Sequence, residues 1–280
     1  MVETIDTYYL LERGSDDLSE KAIHFRSPTV DDYRKFAGMP TALEEELATQ
    51  FLNSMQVAGL YQDGEISDSA LWTGQDRRTA LYWIYINTRE NTVITQKHHC
   101  QHCDKPHARQ FDLKELVPMM ISNDEVMRLD IAIDGVKAGY IQPLRGNALV
   151  HIEEIKNERD MFEEDSPEWC LLHVDLRLYE IAWSLVFEGD DQLLSLREQA
   201  KARFDYVSTL NPETTYKKLA AKTRAALEDF GHGLLSEYRA GEFQLVTPLF
   251  TCPESEKEEG EPKQTVLLLP FWSNNFLPSL

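Results

Sequence analysis

The spacing of apolar residues predicts amphipathic helices in the first third of the chain. In TALEEELATQFLNSMQVAGL the apolar side chains recur every fourth residue, at Leu43, Leu47, Phe51 and Met55, which places them on one face of a helix. The next helical segment, TGQDRRTALYWIYINTRE, offers Thr73 as an N-cap, with an acidic residue three positions later. We therefore expect residues 1–90 to be mainly helical.

The pattern changes to a period of two beyond residue 90, which is typical of β-strands. In RLDIAIDGVKAGYIQPL, the turn dipeptide Asp134-Gly135 separates two alternating runs. The segment ALVHIEEI follows Arg145-Gly146-Asn147 and continues the alternation. We expect residues 91–155 to form a β-hairpin around the cysteine-rich stretch, followed by a small antiparallel meander.

Helical periodicity returns in the third quarter of the chain. PEWCLLHVDLRLYEIAWSLVF has one apolar face, and two further helices are predicted from Asp190 to Arg203 and from Pro212 to Phe230. We expect residues 156–233 to be helical and residues 234–280 to form a C-terminal β-hairpin with an apolar tail, packed against residues 91–155. The predicted fold class is α+β, a helical body that carries a small meander and a β-hairpin element.

The charge balance limits the classes of partner. The 280 residues contain 48 acidic and 28 basic side chains, a formal charge of −20, which repels nucleic-acid phosphates and anionic membrane surfaces. The chain has no long apolar run, and its N-terminus MVETIDTYYLLERGSDD has no signal-peptide pattern. We expect a cytoplasmic protein that binds neither nucleic acid nor membrane.

The stretch QKHHCQHCDKPHARQFDL contains the candidate chemistry. A Cys-x-x-Cys turn between two strands places the thiolates of Cys100 and Cys103 at a suitable separation for one zinc ion. Four cysteines in 280 residues are too few for a disulfide framework. Zinc needs two more ligands, and spacing alone does not choose among the candidates, which are His98, His99, His102, His107, Cys170, His173 and Cys252.

Other interpretations of this stretch remain open from the residues alone. In one of them, the hairpin keeps its fold without binding a metal, its thiols are reduced and its histidines are solvated. A thioredoxin-like redox role is disfavoured because such a motif opens a helix, whereas a strand pattern follows Cys103. The sequence has no H-E-x-x-H, Gly-x-Ser-x-Gly, P-loop or dinucleotide glycine motif. We therefore expect a protein that is not an enzyme and that has no small-molecule substrate.

The order of the motifs resembles the baseplate hub assembly family of T-even-like and Mu-like tailed bacteriophages. The resemblance is carried by LYWIYINTRE, the Cys-x-x-Cys hairpin that ends in FDL, a β meander, HGLL, FTCP and finally VLLLPFWSNNFLPSL. It covers most of residues 22–280. It implies a non-enzymatic protein that assembles, or forms part of, the baseplate hub through contacts with other phage tail or baseplate proteins. The implied location is the host cytoplasm during assembly, and then the virion tail if the protein remains there.

The resemblance also implies a second zinc knuckle near the C-terminus. Cys252-Pro253 matches its start, but Ser255 stands where the family pattern has the fourth cysteine. If the two knuckles face each other as a zinc ribbon, Cys100, Cys103 and Cys252 supply three thiolates, and a histidine such as His107 completes the set. Otherwise the site has decayed, and packing has replaced the ion.

The apolar tail has two interpretations. Phe271, Trp272, Phe276 and Leu277 are predicted to anchor a partner protein, because aromatic side chains bury a large area at low entropic cost. Alternatively, they close the core of the C-terminal lobe itself. Two other functions compete with a structural hub protein: a zinc-dependent cellular enzyme or redox protein that uses Cys100 and Cys103, and a tail assembly chaperone that is absent from the mature virion.

Overall fold

The computed structural model describes residues 3–12, 22–36, 41–123, 126–239, 242–255 and 263–270. Its α-helices are Val30–Phe36 (α1), Glu44–Met55 (α2), Gly74–Thr88 (α3), Gly146–Arg159 (α4), Pro167–Ser184 (α5), Leu196–Ser208 (α6) and Lys217–Asp229 (α7). Its strands are Tyr8–Tyr9 (β1), Ala22–Ile23 (β2), Val93–His99 (β3), Pro106–Asp112 (β4), Leu129–Asp130 (β5), Gly139–Ile141 (β6), Leu185–Phe187 (β7), Ser236–Arg239 (β8), Glu242–Val246 (β9), Phe250–Thr251 (β10), Gln264–Thr265 (β11) and Leu268–Pro270 (β12). The protein is a mixture of helices and small antiparallel sheets, consistent with the predicted α+β class.

The N-terminal helices form where the apolar pattern predicts them. Helix α2 buries Leu47, Phe51 and Met55 on one face. Helix α3 follows Thr73, whose hydroxyl accepts a hydrogen bond from the Asp76 N–H at 3.0 Å. That bond satisfies one of the N–H groups that the first turn of a helix leaves without a partner. The predicted apolar face and the predicted N-cap are both confirmed.

The segment ALVHIEEI belongs to helix α4, so the strand predicted there is wrong. Ala148, His151 and Ile155 are buried at spacings of three and four residues, which is the period of a helix face. Strands β5 and β6 do pair, but the third strand of their sheet is β7. Because α4 and α5 lie between β6 and β7, this sheet is not the predicted meander.

The later helices form in the predicted segments but differ from their predicted bounds. Helix α5 ends at Ser184, and the three residues that follow form β7. Helix α6 begins at Leu196, not at Asp190, because Ser195 and Glu198 form a reciprocal capping box at its start. The segment from Pro212 begins with a short π-helical turn before α7.

A buried polar cluster joins the N-terminal segment to the helical body. The Asp76 carboxylate accepts hydrogen bonds from the N–H groups of Leu11 at 2.7 Å and Glu12 at 3.2 Å, and from the Tyr8 hydroxyl at 3.1 Å. His232 Nε2 lies 3.4 Å from the same carboxylate. Burial opposes charge on both groups, but it is outweighed by their mutual attraction together with the hydrogen bonds from the Leu11 N–H and Thr73 hydroxyl to Asp76 and from His232 to the Phe230 carbonyl. The pKa of Asp76 is therefore lowered and that of His232 is raised. The cluster therefore contains a buried ion pair.

Candidate metal centre

Two turns correspond to the zinc knuckles that the resemblance implies, and they are called the first and second knuckle here; the first is the turn between β3 and β4. The two strands pair antiparallel from Val93–Asp112 to His99–Pro106, and the turn is closed by hydrogen bonds from the Cys100 N–H to the Lys105 carbonyl at 3.0 Å and from the Asp104 N–H to the Cys100 carbonyl at 2.9 Å. Asp104 adopts a φ of 56°, in the left-handed region that aspartate tolerates better than most residues. This tight turn brings the two thiols of the Cys-x-x-Cys motif close to each other.

The second knuckle is the turn that follows β10. The Cys252 N–H donates to the Lys263 carbonyl at 2.9 Å, and the Ser255 N–H donates to the Cys252 carbonyl at 3.0 Å. Ser255 is buried, and its hydroxyl donates to the Cys252 carbonyl at 2.8 Å and accepts from the Lys263 N–H at 3.2 Å. The serine thus closes the turn with its own hydrogen bonds, at the position where the resemblance implied a cysteine.

The two knuckles bring the four predicted ligand residues together. The Sγ atoms of Cys100, Cys103 and Cys252 and a ring nitrogen of His107 all lie within 4.8 Å of one another. Cys100 and Cys252 are 1% and 0% exposed, and the other two are half-buried. A tetrahedral zinc ion, with metal–ligand distances of about 2.0–2.3 Å, places its ligands roughly 3.5–3.8 Å apart. This cluster could therefore hold a metal ion after small side-chain movements.

The closest pair in the cluster is Cys103 and His107. Cys103 Sγ lies 3.0 Å from His107 Nε2, which is a hydrogen-bond distance for sulfur and somewhat shorter than two ligands of one zinc ion require. Both residues belong to the first hairpin, since His107 is the second residue of β4. One hairpin therefore supplies three donors, and the second hairpin supplies the fourth.

The thiols of the cluster influence each other's ionisation. Burial opposes ionisation of Cys252, but the backbone N–H groups of Ser255 and Glu254 and the neighbouring thiols outweigh it and lower the pKa of Cys252. Burial and the neighbouring thiols raise the pKa of Cys103. Thiolates this close repel one another unless a cation lies between them. A divalent ion would supply that cation and hold the thiols in the ionised form.

Contacts outside the ligand cluster also join the two hairpins. The Lys105 ammonium lies 3.0 Å from the Glu254 carboxylate, and His102 Nε2 lies 3.3 Å from the carbonyl oxygen of Gln264. The ring of Phe250 meets the His98 ring edge-to-face, with 4.9 Å between the centroids, and the Arg109 guanidinium lies 4.9 Å above the same Phe250 ring. The approach of the hairpins does not depend on the cysteines alone.

The remaining ligand candidates are not members of the cluster. Of the nearby histidines, His98 packs on an aromatic ring, His99 lies 3.5 Å from the Asp104 carboxylate, and His102 contacts a backbone carbonyl. Cys170 is exposed on α5 and lies outside the cluster. His173 stacks on Trp169, with 4.9 Å between ring centroids. Among the described residues, the cluster has only the four members named above.

Sequence reasoning missed a depression on the helical body. A cavity of about 560 Å³ is lined by residues of α2, α4, α5 and α6, together with the short segment before α3. Its apolar lining residues belong to segments that are distant along the chain, so no local pattern marks them. The predicted anchor residues could not be placed, because Phe271, Trp272, Phe276 and Leu277 lie outside the described residues.

Comparisons with known proteins add no relative. No protein-family model, no curated protein and no solved structure matches this chain. Within the described part of the chain, no helix is both long enough and apolar enough to cross a membrane.

Proposed function

We propose that Cys100, Cys103, His107 and Cys252 bind one structural zinc ion, in a zinc-ribbon-like element of a non-enzymatic protein that acts in assembly of a phage baseplate hub. The observation that carries the zinc proposal is the convergence of the three thiols and one imidazole from two hairpins within 4.8 Å. Three cysteines and one histidine form a common ligand set of structural zinc sites. Within the reducing host cytoplasm, a metal is a more suitable cross-link than a disulfide.

The donor set favours a structural role over a catalytic one. A catalytic zinc ion keeps one coordination position for water or substrate, whereas here four protein side chains fill a tetrahedral set. The redox alternative is also weaker, because Cys103 is followed by strand β4 and so has no helix N-terminus to lower its thiol pKa. These two features support an assembly protein over an enzyme.

A zinc ion would cross-link parts of the chain that are distant in sequence. Cys100 and Cys103 lie between β3 and β4, and Cys252 lies after β10. Binding to a site that does not exist in the unfolded chain stabilises the fold, for structural zinc by on the order of 10 kcal/mol. The ion would thereby fix the relative position of the two hairpins and present a rigid surface to a partner.

The assignment to phage assembly is supported by the order of the motifs. The Cys-x-x-Cys hairpin, HGLL, FTCP and the apolar C-terminal segment follow one another here as they do in the baseplate hub assembly family. The proposed partners are other tail or baseplate proteins, and the proposed location is the host cytoplasm during assembly. The protein then stays in the virion tail as a hub subunit, or leaves before maturation as a chaperone.

Metal analysis of protein purified without a histidine tag tests the zinc proposal. We expect one zinc ion per chain in the wild type and its loss in Cys252→Ser, because that variant removes the only ligand from the second hairpin. Cys170→Ser is the matched control, since Cys170 is exposed and outside the cluster. Equal zinc content in wild type and Cys252→Ser would overturn the site.

Phage genetics tests the assembly role. In cells that produce the tailed phage, deletion of the gene is expected to leave particles without a complete baseplate hub by electron microscopy, and a plasmid copy is expected to restore them. Normal tails after deletion would overturn the role. Mass spectrometry of purified virions then separates a hub subunit, which is present, from a chaperone, which is absent.

A further inference from the structure

We propose that the depression bordered by α2, α4 and α6 is a docking groove for a basic amphipathic helix of a partner protein. The cavity of about 560 Å³ and a second one of about 420 Å³ share four lining residues, Leu71, Asn147, Trp183 and Leu196. The two cavities therefore adjoin and together form one groove. This shape suits an extended or helical segment of a macromolecule better than a small compact ligand.

The floor of this groove offers apolar anchoring. Leu71 and Leu196 are 50% and 47% exposed, and they come from different segments, the short helix before α3 and the start of α6. Val150 and Trp183 also line the larger cavity. A single exposed leucine is ordinary in a soluble protein, but two that share a concave surface with a tryptophan form a hydrophobic groove for a helix with apolar residues on one face.

The charges in the larger cavity select a basic partner. Three carboxylates line it, those of Glu46, Asp68 and Glu154, and among its described lining residues Arg197 is the one side chain with a full positive charge. Arg197 is already paired with Glu154, so the lining of this cavity has a formal charge of −2, from three negative charges and one positive. The smaller cavity adds Arg145 and Arg203, but each is paired with a carboxylate outside the lining, Glu12 and Asp190 respectively, so these two arginines bring no net positive charge to the groove. The whole chain has a charge of −20. A second copy of this chain would therefore be repelled, whereas lysine or arginine side chains beside an apolar stripe would complement the groove.

This inference deepens the proposed function, because it names the kind of partner that an assembly protein of this shape would hold. Only the interpretation of the groove as an assembly surface rests on the proposed function. The metal centre is formed by other residues, Cys100, Cys103, His107 and Cys252. Groove variants should therefore keep their zinc, and the two proposals can fail separately.

The probe is a fluorescein-labelled synthetic peptide of about five helical turns, with leucine at helical i, i+4 and i+7 positions and lysine on the remaining faces. Fluorescence anisotropy with the full-length, zinc-loaded protein is expected to show saturable binding. Glu46→Lys and Leu196→Glu should each weaken binding by about tenfold or more, since one reverses a lining charge and the other places a charge in the apolar contact.

Two variants are matched controls. Leu193→Glu changes a leucine that is 95% exposed and outside the lining, and Glu158→Lys changes an exposed glutamate one turn beyond Glu154. Both should bind the peptide within about twofold of the wild type, as expected for surface positions away from a contact. All four variants should match the wild type in circular dichroism and zinc content.

Several outcomes would contradict the proposed docking groove. They are absence of peptide binding, equal binding of a peptide with glutamate in place of lysine or with the same residues in scrambled order, and equal loss of binding in the control variants. Sedimentation analysis gives one more: self-association of the wild type that Leu196→Glu abolishes would assign the surface to a second copy of the chain. If the peptide does not bind but the protein contains zinc, the docking groove is refuted and the proposed function is not. If the wild-type protein contains no zinc, the metal centre alone is refuted.

Discussion

The metal-centre region and the helical body are held together by different forces. The body around α2 and α3 has a continuous apolar core, which includes Phe25, Leu47, Phe51, Leu52 and Ile84. In the metal-centre region, β10 and β11 have two residues each, and β3–β4 is a two-stranded sheet among the described residues. Isolated two-stranded hairpins are at best marginally stable in water.

This difference shows why ligand residues would be concentrated in one region of the folded molecule. Apolar burial offsets the conformational entropy that is lost in the body, but two very short strands bury too little surface to do so. A metal ion can stabilise such hairpins because its ligand bonds add to their small apolar contact, in which Phe111 of β4 packs in one cluster with Tyr82 and Ile86 of α3. We therefore expect the two regions to respond differently to metal removal and to core substitutions.

The largest expected effect is the loss of the hairpins when zinc is removed. Chelation of zinc, or Cys252→Ser, should destabilise residues 93–112, 250–255 and 263–265 by on the order of 5 kcal/mol or more. Hydrogen exchange followed by mass spectrometry should show faster exchange in these segments and little change in α2 and α3. Cys170→Ser should match the wild type. Equal loss of protection across the body would show that the two regions are not separately stabilised.

The second effect is expected in the body. Asp76→Ala removes one partner of the buried pair with His232 and leaves two backbone N–H groups without their acceptor, which should lower the free energy of unfolding by about 3–5 kcal/mol. Urea denaturation followed by tryptophan fluorescence measures this loss. Zinc content should stay at the wild-type value, and loss of zinc in Asp76→Ala would show that the stability of the body and the metal centre are coupled.

The pH dependence of this pair has a definite sign. The stability from Asp76, whose pKa is lowered, is present above the unfolded pKa of about 3.9 and is lost as pH falls through the folded pKa. The stability from His232, whose pKa is raised, is present below the unfolded pKa of about 6.5 and is lost as pH rises through the folded pKa. The wild type should therefore exceed Asp76→Ala by most between about pH 4 and pH 6.5, and a difference that is constant with pH would contradict the ion pair.

The two regions also differ in how far the sequence predicts them. The Leu47–Phe51–Met55 face and the Thr73 cap are local features, so their periodicity and spacing were sufficient. The order of Cys100, Cys103 and Cys252 could be seen in the sequence, but their convergence depends on how two distant hairpins pack, and only the family resemblance suggested it. Helix α4 was predicted as a strand because a short run fits both periods until its packing partners are known.

The third prediction concerns the serine in the second knuckle. His107→Ala removes one of four ligands and should weaken zinc binding by roughly a hundredfold, or about 2.7 kcal/mol. Ser255→Cys on that background should restore affinity to within about tenfold of the wild type, because the new thiol completes a second Cys-x-x-Cys turn. Competition with a zinc-binding dye measures both. Failure of this rescue, with Ser255→Cys alone still binding zinc, would show that a side chain at position 255 of this turn does not reach the ion.

The smallest effect is a titration in the body, outside the cysteine–histidine cluster. Glu153 is half-buried and accepts the Glu45 N–H at 2.9 Å and the Glu46 N–H at 3.3 Å. Burial, together with the negative charges of Glu45 and Glu44, raises its pKa to about 7 despite these bonds.

Because the unfolded chain releases the Glu153 proton near its ordinary pKa of about 4.3, folding becomes less favourable as pH rises from there to about 7. Glu153→Gln does not titrate, so its stability relative to the wild type should improve by about 1 kcal/mol between pH 5 and pH 8, a value reduced for partial solvent screening. Urea denaturation of both proteins at each pH measures this change, and proton competition at the metal centre cancels in the difference. Glu158→Gln, at an exposed position, is the control. If this variant showed the same pH-dependent gain in stability, the net charge of the protein, and not the hydrogen bonds of Glu153 to the first turn of α2, would set the pH dependence of the body.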